Sequence, residues 1–168
     1  MDKAMEIKYN VNGQDNKQEV SDLNAAFFLT PKANVAFLYE DFTVRQALEK
    51  MHAHGYKAIP VLNRDQQYIG TITEGDFLWY LVHDEIESSE EFNFPPLEKM
   101  HLHDIMLSRP NPAMLITATT DELLQHAEQQ NFVPIVDDRN VFIGIVTRKD
   151  IIRYFTHGES KLHKQTAE

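Results

Sequence analysis

The chain has 168 residues, 42% of them hydrophobic and 25% charged, with a formal net charge of −10 at pH 7. That length suits one compact domain or two small intimate ones, enough to bury roughly 68–70% of the unfolded surface. The acidic balance argues against a nucleic-acid polymer, whose binding needs clustered Lys and Arg. The lack of cysteine removes disulfide and thiolate chemistry. No apolar run approaches the ~18 residues of a membrane span, and the N-terminus, where Asp2 and Glu6 mix with Lys3 and Lys8, shows no signal-peptide pattern. The cytoplasm is the expected compartment.

In chain order, residues 1 to about 20 are polar, with one alternating piece, Ile7 to Val11, ahead of Asn12-Gly13. It reads as a short edge strand or a frayed terminus. Ser21 to Leu29 predicts a short helix, stopped by Thr30-Pro31 because the residue before proline leaves the helical region. Val35 to Leu38 is a short apolar strand. Thr43-Val44-Arg45-Gln46 has the form of a capping box. Behind it Val44, Ala47, Leu48 and Met51 share one helix face, and Gly55 ends the helix in the left-handed manner. Residues 58–62 and 67–73 predict two strands joined by the turn-rich Asn63-Arg64-Asp65-Gln66, and a closing helix runs from about Gly75 to Val82. His83 to Lys99, rich in Asp and Glu, reads as a solvated linker.

The second half repeats this order. Tyr68-Ile69-Gly70-Thr71-Ile72-Thr73-Glu74-Gly75-Asp76 returns as Phe142-Ile143-Gly144-Ile145-Val146-Thr147-Arg148-Lys149-Asp150, at a constant offset of 74 that Pro60 and Pro134 also keep. Met114 to Ile116 is the short strand, and Thr119-Thr120-Asp121-Glu122 is the second capping box. The offset there is 76, so the second copy has lost two residues where the first has Gly55-Tyr56-Lys57. Strands 132–136 and 141–147 and a helix from about Asp150 to Phe155 complete the copy. Each unit reads strand–helix–strand–strand–helix. The strands are near-continuous apolar runs that need cover on both faces. One such unit has a thin core, so two gain by packing sheet on sheet about a pseudo-two-fold axis.

The doubled Gly-x-x-Thr-x-x-Asp, the apolar-Pro-apolar strand before it and the Thr-capped helix before that resemble a pair of CBS domains, a regulatory Bateman module. The resemblance covers roughly residues 25–157. It extends to small stand-alone bacterial proteins of this kind, including cyclic di-AMP receptors, through Gly55 to Val61 and Gly144 to Lys149. It implies an α+β fold in which two β-α-β-β-α repeats pack small mixed sheets together. The expected divisions are an N-terminal extension 1–24, a first repeat 25–83, an acidic linker 84–100, a second repeat 101–157 and a polar tail 158–168. Such modules bind adenosine-containing ligands between the repeats. On that resemblance, Asp76 and Asp150 would accept from ribose hydroxyls and Thr73 and Thr147 would contact phosphate. Ala58, Ile59 and Pro60, with Phe132, Val133 and Pro134, would sandwich an adenine. Val35 and Ala36 would offer backbone groups to the base edge, and so would Leu115 and Ile116. The implied ligand is AMP, ADP, ATP or cyclic di-AMP, with no cofactor required. The implied partners are a second copy of the chain, in a homodimer, and an unidentified effector protein.

Elementary chemistry supports part of this. A strand that ends in Thr and turns into a helix can present free N–H groups to an anion, and a carboxylate suits a vicinal diol. The same Thr-x-x-Asp is also a capping box, and both roles can coexist. Arg148 and Lys149 follow Thr147 where the first copy has Glu74 and Gly75. Two unequal sites are therefore expected, with Arg148 either an ordinary exposed charge or a phosphate clamp. Tyr56 stacks on a base or packs in the core. His101-x-His103 would share a strand face, but no metal is expected. Phe77, Trp79, Tyr80, Tyr154 and Phe155 read as core or dimer surface. No enzyme constellation is present; the main alternative to a ligand sensor is a structural dimerisation module without a ligand.

Overall fold

The computed structural model describes residues 23–87, 96–105 and 111–157. The Ile7–Val11 piece, the middle of the acidic stretch and the polar tail lie outside the described residues. A 3₁₀ turn at Ala25–Phe28 leads to β1 (Thr30–Pro31), and β2 (Leu38–Tyr39) leads into α1 (Val44–His54). Then come β3 (Ala58–Leu62), β4 (Tyr68–Thr73) and α2 (Glu74–Glu87). After the short α3 (Leu102–Ile105) the order returns as β5 (Met114–Leu115), α4 (Thr120–Gln129), β6 (Phe132–Val136), β7 (Phe142–Thr147) and α5 (Arg148–His157).

Both capping boxes form. The Gln46 amide donates to the Thr43 hydroxyl at 3.2 Å and the Thr43 amide to the Gln46 carboxamide at 3.0 Å. Glu122 and Thr119 make the same exchange at 3.3 and 2.9 Å. Each box satisfies two of the donors a helix start leaves open. The sheets follow the repeat: β2 runs parallel to β3 and β3 antiparallel to β4, while β5, β6 and β7 repeat the pattern. Both antiparallel pairs shift register at matching positions, after Val61 and after Ile135. The turns match too. Gln66 and Asn140 both take positive φ, 66° and 64°, and the Asn63 and Asp137 side chains each accept an amide across the turn.

The repeats join about their pseudo-two-fold axis. The Tyr68 amide donates to Asn140 O at 3.1 Å and the Phe142 amide to Gln66 O at 2.9 Å. Below this pair lies a shared core of Leu62, Tyr68, Val136 and Phe142, two residues from each repeat. Separate cores sit under α1 and under α4.

Each repeat also borrows the segment that precedes the other. The Val44 amide donates to Met100 O at 2.8 Å and Leu102 N to Phe42 O at 3.0 Å. On the opposite side Ala25 N reaches Ala118 O at 2.9 Å, and the buried Thr120 hydroxyl reaches Leu23 O at 2.8 Å. The strand β1 pairs antiparallel with β7, across the sequence, so the second sheet has four strands and the first three.

Three expectations change. Within 21–29 the described helix is a single 3₁₀ turn, because the Asn24 side chain caps Ala26 and Leu29 is already extended. The strand expected at 35–38 pairs only at Leu38 and Tyr39, since Val35 still closes a 3₁₀ turn at Lys32–Asn34. The acidic stretch is not solvated throughout: α2 runs on to Glu87, Met100 is buried and Leu97 packs against the first core. The acidic residues hid these apolar anchors.

The β1–β7 pairing makes a test. A Cβ on Gly144 would lie 2.2 Å from Thr30 O and 2.8 Å from the Leu29 side chain. A backbone carbonyl cannot move aside cheaply, so Gly144→Ala should lose about 1–3 kcal/mol in urea unfolding. Gly75 meets only Thr73 Oγ1, at 3.6 Å. Gly75→Ala in the first turn of α2 should therefore be neutral or stabilising by up to about 1 kcal/mol. Equal losses from the two changes would refute this account.

Candidate ligand-binding cleft

A cleft of about 320 Å³ opens between the repeats. Ala58, Thr71, Thr73 and Asp76 line it from the first repeat; Asn111, Gln129, Gln130, Asn131 and Phe132 line it from the far side. Register explains the first group. Ala58 lies opposite Thr73 on neighbouring strands, and Thr71 is two residues back on the same face of β4. The turn into α2 then brings Asp76 beside Thr73.

Of the residues expected to bind, Thr73, Asp76, Ala58 and Phe132 line this cleft. Ile59 and Val133 are fully buried in the two cores, and Pro60 and Pro134 are buried beside them on β3 and β6. Val35 and Ala36 pack against core clusters. Leu115 is exposed, and Ile116 is half-buried. Tyr56 is 41% exposed and stacks on the His54 ring at 5.3 Å. Thr147 and Asp150 form the equivalent helix start in the second repeat, with Lys149 exposed beside them.

Both Thr-x-x-Asp motifs cap their helices. Thr73 Oγ1 and the Thr73 amide each donate to Asp76 Oδ2 at 2.7 Å, and the Asp76 amide donates back at 3.2 Å. Thr147 Oγ1 and Asp150 Oδ2 are 2.5 Å apart, and Asp150 also faces Arg153 at 3.7 Å. The Glu74 amide is taken by Lys57 O at 3.1 Å, as the Arg148 amide is by Asn131 O at 3.0 Å. The helix starts are therefore less open to an anion than the motif suggests. What the first offers to the cleft is a hydroxyl and a carboxylate.

Arg148 has a different employment from the phosphate clamp considered for it. Its guanidinium donates to Ala127 O at 2.7 Å, Gln130 O at 2.9 Å and Glu128 O at 3.3 Å. The reason lies in the two-residue deletion. The first helix ends on Gly55 at φ 66°, whose amide and the next close back on Met51 and His52. The second helix ends on extended Gln130 with no glycine, so its last carbonyls need donors from elsewhere. Glu74, at the matching position of the first repeat, would repel carbonyls there.

Thr71 and Asn111 were not singled out from the sequence, yet they form the polar floor of the cleft with Tyr68. The Tyr68 hydroxyl bonds to Asn111 O at 2.7 Å and Thr71 Oγ1 at 2.9 Å, and Asn111 Nδ2 donates to Thr71 Oγ1 at 2.8 Å. The residues at the matching positions across the pseudo-two-fold axis, Phe142 and Ile145 of the second repeat and Val35 of the first, all belong to an apolar cluster. The two sides differ in the polarity of the floor and not through Arg148.

His101 and His103 lie near the border of the first repeat, with their rings 5.4 Å apart. They occupy a bridge and a helical turn, not one strand face. Asp104 joins them as a possible donor set, but its carboxylate already accepts from the His101 amide at 3.1 Å.

Burial pushes the Tyr68 phenol up to about 12 from an ordinary 10.0, against the opposing pull of the Thr71 hydrogen bond. Between those values the unfolded chain has lost the proton and the folded chain retains it. Stability is fully present below pH 10 and falls as pH rises toward 12. The loss is on the order of 2–3 kcal/mol. Denaturation measured below pH 10 and near pH 12 should show a shallower decline for Tyr68→Phe than for the parent. Parallel declines would count against the buried phenol.

Comparison with known proteins places this architecture. The family model described as the CBS domain matches residues 20–83 and 103–157. The protein MJ1225 of Methanocaldococcus jannaschii is 26% identical over 131 residues, which is 71% of this chain and 45% of that protein. The chain thus spans less than half the length of that relative. Among solved structures, CbpB in complex with c-di-AMP superposes with a TM-score of 0.69 at 19% identity, covering 84% of this chain and 89% of that one. CBSX2 in complex with AMP gives 0.61 at 20%, covering 79% and 95%. These likenesses establish the fold. With two family matches, one to each repeat, the chain belongs to the CBS-domain family as a tandem pair.

Proposed function

We propose that the chain is a regulatory module that senses an adenine nucleotide. The ligand sits in the first cleft, and a partner protein reads the result. The observation that carries this reading is the inter-repeat cleft itself. Its volume, about 320 Å³, falls at the lower end of the ~300–1,000 Å³ typical of small-molecule sites. Its lining suits a nucleoside: Phe132 and Ala58 for a base, and Asp76, held in place by Thr73, for a ribose diol. CbpB with c-di-AMP and CBSX2 with AMP show this fold holding such ligands, which favours AMP, ADP, ATP or cyclic di-AMP here. The reading assigns the chain no chemical step of its own.

The first cleft is preferred to its counterpart because the counterpart's floor is apolar and Arg148 is committed to α4. A nucleotide at 100 times its dissociation constant should add about 2.7 kcal/mol to stability, seen as a thermal shift. Asp76→Asn should weaken binding at least about tenfold, whereas Asp150→Asn should leave it nearly unchanged. Arg148→Gln should lower stability by about 1.5–3 kcal/mol without loss of affinity. No shift with any of the four nucleotides would leave the alternative, a dimerisation module without a ligand.

A homodimer fits the exposed apolar face of the closing helices. Leu78 and Ile152, at matching positions, are 56% and 53% exposed, with Trp79 and Phe155 beside them. Phe77 is buried on the other side of α2, with Tyr80 partly so. Changing Trp79 and Ile152 together to Asp should convert a dimer to a monomer by light scattering. An unchanged mass would place the interface elsewhere.

A further inference from the structure

We infer that the first cleft selects on the exocyclic amine of its ligand: Asn111, together with Gln130, accepts from a 6-amino purine and disfavours the 6-oxo counterpart. The inference rests on the nucleotide reading above and adds the residues that enforce the choice.

Counting hydrogens leads to it. The Tyr68 hydroxyl has one proton, and Asn111 O, 2.7 Å away, can only accept it. The Tyr68 oxygen must then accept from Thr71 Oγ1, at 2.9 Å, which consumes the threonine proton. Thr71 Oγ1 is left as an acceptor, and the Asn111 NH₂ donates to it at 2.8 Å. Each link fixes the next, and the last fixes which way the Asn111 amide faces. Its oxygen is then the atom left over, with no donor opposite it among the described residues.

That oxygen, Asn111 Oδ1, is buried and has no hydrogen-bond partner among the described residues, and the same is true of Gln130 Oε1. Both residues line the cleft. Two buried acceptors without donors are costly unless something supplies protons. A 6-amino group carries two N–H bonds, one for each of the two acceptors in this inference. A 6-oxo purine sets a carbonyl among acceptors and has only its N1–H to give.

The positions related by the pseudo-two-fold axis show that the scaffold does not need these polar groups. Phe142, Ile145 and Val35 stand in the places of Tyr68, Thr71 and Asn111, and they pack as core. The polar set is thus a feature of one cleft, not of the fold.

Calorimetry on the full chain tests this with matched pairs: AMP against IMP, ATP against ITP, and cyclic di-AMP against cyclic di-IMP. Where a pair binds, the adenine member should be tighter by about tenfold or more. Asn111→Leu should narrow that ratio to within about threefold. Should that variant not fold, Gln130→Met removes the other acceptor and should narrow the ratio likewise. Equal affinities within every binding pair would overturn the inference while leaving the sensor reading in place. A tenfold ratio that persists in the folded variants would overturn the assignment to these two residues. Failure of all six ligands to bind would overturn both readings together.

Discussion

The reciprocal pair of backbone bonds between Tyr68 and Asn140 and between Phe142 and Gln66 sets the geometry of everything else. It brings the starts of β4 and β7 together on the pseudo-two-fold axis and pins the four-residue core beneath them. Neither sheet alone could bury both faces: three and four short strands make a thin layer. The cleft lies between the repeats once they are joined there, lined by Ala58, Thr73 and Asp76 on one side and by Gln129 to Phe132 on the other. The left-handed residues Gln66 and Asn140 are what make the join possible, because each turns its carbonyl outward to the other repeat.

The exchange of preceding segments completes the joint. Each capped helix begins against the segment that precedes the other repeat: the Val44 amide of α1 donates to Met100 O, while at α4 the Thr120 hydroxyl donates to Leu23 O and Ala118 O, just before the helix, accepts from Ala25 N. Separating the repeats would expose these amides and a buried threonine hydroxyl at once, each with its own desolvation cost. The two halves therefore behave as one cooperative unit, and the connecting segments are structural parts of it.

Much of this was legible because it is local. The capping boxes at Thr43 and Thr119, the Gly55 stop and the strand bounds of β3 and β6 follow from residues within one turn or one strand of each other. The exchange was not legible, since pairing between Val44 and Met100 leaves no periodic mark, and the acidic residues outweighed Leu97 and Met100 in the reading of the linker. Arg148 misled for a related reason. Its partners lie 18 to 21 residues back, and only the missing glycine hinted that α4 lacked a cap. Thr73, Asp76, Ala58 and Phe132 were marked by motif. Thr71 and Asn111 carried a fainter signal that was there to be used: aligning the repeats puts a polar residue opposite an apolar twin at each.

What a bound ligand could transmit depends on which segment it touches. The cleft wall at Gln129–Phe132 is also the segment whose carbonyls hold the start of α5, through the Arg148 guanidinium at Gln130 O and the Arg148 amide at Asn131 O. Helix α5 in turn carries the exposed Ile152 and Phe155. A ligand shifts an equilibrium only by contacts that differ between two arrangements. Contacts to Asn111 and Gln130 differ in that way whenever the wall moves relative to the floor, because both must approach one amine together. The floor is anchored by the Tyr68 chain, so the movable side is the wall, and with it the helix start. In the proposed sensor, recognition of the base and displacement of an exposed helix face are thus two ends of the same short stretch of backbone.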